Sequence, residues 1–60
     1  MNKILEPIYS ARFTVVHKLR EINSDLHSPE FTESEKVGLK YWEAYYQGQL
    51  DILNNLLLGN

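Results

Sequence analysis

Apolar residues in the first half of the chain recur at Ile8, Ala11, Val15, Leu19, Ile22 and Leu26, in steps of three, four, four, three and four. That is the spacing of one helical face, and it predicts a helix from about residue 4 to residue 26. Pro7 does not oppose this, because the amides of a helix's first turn have no partner within the helix. Leu39, Trp42, Tyr46, Leu50, Leu53 and Leu57 repeat the same rhythm. They predict a second helix from about residue 33 to residue 57, with Gly59 as its stop. Between them, "HSPEFTESEK" carries the punctuation, with a turn at about residues 27–32. Two helix starts stay open there. Ser28-Pro29 reads as a cap with proline at the first helical position, and Thr32 with Glu35 reads as a capping box. A linker this short predicts an antiparallel pair. The expected fold is all-α, residues 1–60 forming a single helical hairpin with no internal repeat or second domain.

Each helix carries a second apolar stripe. In the first it is Leu5, Tyr9, Phe13 and Val16; in the second, Tyr45, Ile52 and Leu56. Both sit about 100° from the main stripe on the helical wheel. A hairpin gives each helix only one neighbour, so these residues have nothing to pack on within one chain. Burial of each large side chain contributes roughly 1.5–3 kcal/mol, and several of them rival the whole stability of a small domain. The pattern therefore predicts a helical-bundle homo-oligomer, with Leu5, Phe13, Val16, Tyr45, Ile52 and Leu56 at the subunit interface.

Length sharpens this expectation. Sixty residues bury a smaller share of their surface than larger domains do, and chains of this size usually lean on disulfides, a metal or a partner. There are no cysteines, and His17 and His27 are too far apart to share a helix face, so no metal site is expected. The formal net charge is −2. Lys3, Arg12, Lys18 and Arg20 face Glu6, Glu21 and Asp25 in the first half, while Lys36 and Lys40 face Glu30, Glu33, Glu35, Glu43 and Asp51 in the second. No basic stripe for nucleic acid results. No apolar run reaches the roughly 18 residues that span a bilayer, and "MNKILEPIYS" is a poor signal peptide. The chain is expected to be cytoplasmic.

Candidate chemistry concentrates in "KYWEAYYQGQLDIL", Lys40 to Leu53. Gly38, Tyr41, Tyr45 and Gly48 form one ridge, with glycine at both ends. It suits either close helix approach across a subunit interface or a notch in which a flat ligand stacks on tyrosine. Arg12 lies between Tyr9 and Phe13, with Arg20 two turns further on. Arginine beside aromatics can hold an anion bearing a flat apolar group, or it can simply snorkel over the core. The candidate ligand residues are thus Tyr9, Arg12, Phe13, Arg20, Tyr41, Tyr45 and Gly48. Ser10 and His17 sit two turns apart, but no nucleophile motif surrounds them. Glu30, Glu33 and Glu35 are ordinary decoration of a helix start. No cofactor motif is present, and no enzyme is expected.

The segment from Ser28 to Leu53 resembles a pattern of small phage-encoded helical accessory proteins, at Phe31, Thr32, Glu35, Lys36, Tyr45, Gly48, Asp51 and Leu53. The resemblance implies a phage setting in a bacterial host and an anti-defence role. No ligand motif carries over from it residue by residue. The resemblance does not say which such role; the tyrosines beside Gly48 together with Arg12 and Arg20 lead to the expectation of an oligomeric sponge that sequesters a small nucleotide immune signal in pockets between subunits. The alternative is a module that binds a host protein through its aromatic helix face, as inhibitor or adaptor. A DNA-binding regulator ranks third, for want of a basic recognition helix.

Overall fold

The computed structural model describes residues 5–58. The chain is all-helical, with α1 at Leu5–Leu26 and α2 at Glu33–Leu58 packed against each other as a hairpin. Ile4, where the sequence pattern starts the first helix, and Gly59, its expected stop for the second, lie outside the described residues.

Hydrogen bonds within the connection fix its length. At the end of α1, the amides of His27 and Ser28 donate to the carbonyls of Ser24 and Asp25 at 3.2 and 3.1 Å. His27 Nδ1 donates to the Asn23 carbonyl at 2.8 Å; since a carbonyl can only accept, Nδ1 carries the proton. The Glu30 amide donates to Ser28 Oγ at 3.2 Å, closing a serine turn. Of the two possible starts for α2, Thr32 is the one used. Its amide donates to Glu35 Oε1 at 2.8 Å and the Glu35 amide donates to Thr32 Oγ1 at 3.1 Å, a reciprocal capping box. Ser28-Pro29 instead shapes the turn.

Contact between the helices is narrow. Half-buried Leu5, Ile8, Leu19 and Leu26 join buried Val15 and Ile22 along α1. Along α2 the half-buried line is Lys36, Leu39, Glu43, Tyr46, Leu50, Leu53 and Leu57. Its steps alternate between three and four, the seam of a two-stranded coiled coil rather than the broad stripe of a globular helix. This shifts two residues from their expected places. Trp42 is 48% exposed beside the seam, and Glu43 occupies the seam position instead. Ala11 is exposed as well, because the line passes on its Arg12 side.

Such a seam leaves little inside. Among the described residues only Val15 and Ile22 are buried, at 5% and 8% exposure. The molecule extends 47 × 14 × 11 Å, with a radius of gyration of 14.1 Å, where a compact chain of this length has about 10 Å. Its accessible surface is 4902 Å². A compact folded chain of 7.0 kDa has about 4,000 Å².

Candidate functional site

Antiparallel packing decides which side chains share a face. Numbering forward on the wheel, the second stripe of α1 runs ahead of its seam, whereas that of α2 lags behind its own. Two antiparallel helices share a face only where both run ahead or both lag. The stripes therefore lie on opposite faces of the hairpin.

One face is centred on Tyr9. Tyr9 and Arg12 of α1 and Asn54, Leu57 and Leu58 of α2 line an open cleft of about 450 Å³. Arg12 Nε donates to Asn54 Oδ1 at 2.7 Å, bridging the helices and fixing the guanidinium over the seam. Phe13, four residues beyond Tyr9 and 74% exposed, continues this face, and Arg20 follows two turns later. The two arginines stand about 12 Å apart along the axis. Among the described residues the ion pairs are those of Glu21 with Lys18 at 3.9 Å and with His17 at 3.4 Å. Among the described residues neither Arg12 nor Arg20 has a carboxylate partner.

The opposite face is centred on Ile52. Ala11, Val15, Gln49, Ile52 and Leu53 line a groove of about 210 Å³. A second groove of about 230 Å³ follows along the same face, lined by Lys18, Glu21, Ile22, Leu39, Trp42 and Tyr46. Trp42 organises the aromatic cluster above it. Its ring meets Tyr41 and Tyr45 edge-on at 5.5 and 5.4 Å, and Tyr46 lies 6.1 Å away. Tyr45 and Tyr46 close the set at 5.2 Å. Such edge contacts add modestly to burial and hold the rings in fixed positions.

The candidate ligand residues thus divide. Tyr9, Arg12, Phe13 and Arg20 share the Tyr9 face. Tyr41, Tyr45 and Gly48 lie away from it, on the flank and back of α2. A single copy does not bring the two groups together. Of the candidate interface residues, Leu5 and Val16 are already half-buried, while Phe13, Tyr45, Ile52 and Leu56 are exposed. A methyl group added at Gly38 or Gly48 would meet nothing within 4 Å, so neither glycine serves close packing inside the hairpin. His17 stacks on Phe13, with ring centroids 6.4 Å apart, and pairs with Glu21; Ser10 offers its backbone carbonyl to Thr14 Oγ1. The two do not form a catalytic pair.

Sequence spacing missed Asn54, which reads as one polar residue of "NN" inside a leucine run. Among the described residues no group of three His, Asp or Glu side chains could hold a metal ion, and no helix is long and apolar enough to cross a membrane. Compared with protein-family models, curated proteins and solved structures, the chain matches none.

Proposed function

We propose that the chain is a non-catalytic capture protein: a homo-oligomer whose subunits each hold a small nucleotide on the Tyr9 face. The observation that carries this reading is a pair of arginines that have no carboxylate partner among the described residues, with Arg12 beside Tyr9 in the cleft and exposed Phe13 on the same face. A guanidinium fork binds phosphate through two parallel hydrogen bonds, and stacking of a base on an aromatic ring contributes roughly 1–3 kcal/mol. The net charge of −2 is no obstacle, because it is reversed locally where Arg12 and Arg20 stand. Arg12 is held in place by Asn54, which lowers the ordering cost of gripping an anion. The reading sets the ligand in a cleft made by one subunit's two helices rather than at a boundary between subunits. Nothing about the open cleft excludes water, which suits capture better than turnover. The resemblance to phage accessory proteins supports a role in which withholding a bacterial immune signal is the activity.

A second reading is favoured by the exposed cluster of Trp42, Tyr41 and Tyr45. Rigid aromatic anchors are what helix-face recognition of another protein uses, so inhibition or adaptation of a host protein follows naturally from that surface.

The test is to purify the protein from a bacterial host with active immune signalling, release its ligands by heating, and identify them by mass spectrometry. A nucleotide retained by the unaltered chain and lost from Arg12→Ala supports the first reading. Protein free of nucleotide, with no binding of cyclic dinucleotides or ADP-ribose added back, overturns it. A host protein that co-purifies with the unaltered chain and is lost from Trp42→Ala supports the second.

A further inference from the structure

We infer that two copies of the chain pair through the Ile52 face, each setting its Ala11–Val15–Gln49–Ile52–Leu53 groove and its Trp42 against the other about a two-fold axis, with the Tyr9 face left outward. The inference rests on the self-association proposed above and specifies its surface.

Area is the first argument. The accessible surface of 4902 Å² exceeds that of a compact chain of this mass by roughly 850 Å². One partner's share of a stable interface is about 800 Å². A second copy laid along the long axis of the hairpin, 47 Å in extent, covers what the seam leaves open. This occupant is present wherever the chain is, and it extends the narrow seam into a four-helix core.

Charge is the second argument, and it chooses the face. A two-fold interface sets each patch against an identical patch. On the Tyr9 face that would bring Arg12 and Arg20 of one copy towards the same arginines of the other; among the described residues neither has an ion-pair partner, and Asp51, on this face by the helical wheel, is one carboxylate against two guanidiniums. Like charges across an interface are strongly unfavourable. The groove at Ile52 is lined by Ala11, Val15, Gln49, Ile52 and Leu53 and bears no charge. The charges in the neighbouring groove, Lys18 and Glu21, lie 3.9 Å apart and offset each other within the chain. Ala11 adds a third reason. Its small side chain sits exposed beside the seam, so a partner's backbone can approach there.

The experiment compares Ile52→Glu with Phe13→Glu by sedimentation equilibrium, with helicity followed by circular dichroism. Both side chains are well exposed in one copy, at 63% and 74%, so neither charge disturbs the hairpin itself. The expected result is that Ile52→Glu weakens self-association by about a hundredfold or more, as a charge buried against apolar surface should, while Phe13→Glu assembles like the unaltered chain. The reverse pattern keeps self-association and overturns this choice of face. Loss in both variants points to a head-to-tail ring and overturns the two-fold pairing. Assembly in both moves the interface elsewhere and also overturns it. An unaltered chain that is monomeric and helical at every concentration removes the self-association reading itself.

Discussion

The two broad faces of the hairpin are alike in their aromatic content and unlike in charge. Around Ile52 and Trp42 the surface is apolar, and its one cation, Lys18, is paired with Glu21. Around Tyr9 and Phe13 stand two guanidiniums that have no ion-pair partner among the described residues, Arg12 beside Tyr9 and held by Asn54, Arg20 two turns beyond Phe13. Both faces expose apolar area that a single chain does not hide. Their difference teaches that surplus hydrophobic surface does not by itself name an occupant. A face whose groove is uncharged and whose neighbouring Lys18 and Glu21 offset each other can meet its own copy, whereas a face with an excess of arginine is the better match for an anion.

Several substitutions would break or sharpen this contrast. The largest effect belongs to the seam that both faces share. Ile22→Ala removes one of the two side chains buried among the described residues and should cost about 2–4 kcal/mol, so thermal unfolding followed by circular dichroism should show both faces lost together. Trp42→Ala should weaken assembly by roughly 1.5–3 kcal/mol, measured by sedimentation, and leave nucleotide retention per folded chain intact. Its converse is Arg12→Ala. That change should lower nucleotide affinity by about 1.5–3 kcal/mol in calorimetric titration and leave assembly untouched; equal effects on both properties would merge the two faces into one site. Thr32→Ala removes half of the capping box and should cost about 1 kcal/mol, read as an equal shift in unfolding midpoint with and without ligand. The smallest effect is Gly48→Ala. With open space around it, alanine should stabilise α2 by up to about 1 kcal/mol. Loss of assembly in that variant would instead mean that a partner helix lies against Gly48.

Much of the hairpin was legible in the sequence, for identifiable reasons. Helix ends are written in short-range chemistry, and Thr32 with Glu35 announces the start of α2 whatever the rest of the chain does. The phase of the seam was harder to read. Counting only apolar residues selects Ala11 and Trp42, but a two-helix contact follows a strict heptad line, and that line passes through Arg12 and Glu43. Charged residues at seam positions disguise the period. The separation of the candidate ligand residues was hidden for another reason. Arg12 and Tyr45 both lie near apolar stripes, and a stripe's angular distance from the seam says nothing until its direction is combined with antiparallel packing. Asn54 escaped because its partner, Arg12, is 42 residues away, and local spacing carries no such information.

One hairpin with two buried side chains among its described residues exposes more apolar area than it can cover, and the proposed assembly is the sharing of that area between copies. Sedimentation equilibrium of the unaltered chain through a dilution series, with emission from Trp42, its only tryptophan, recorded alongside, tests this most directly. The account predicts a mass of at least twice 7.0 kDa at micromolar concentration, and a red shift in emission as dilution parts the copies. A fully helical species of one chain's mass at every concentration, its emission unchanged throughout, would contradict it.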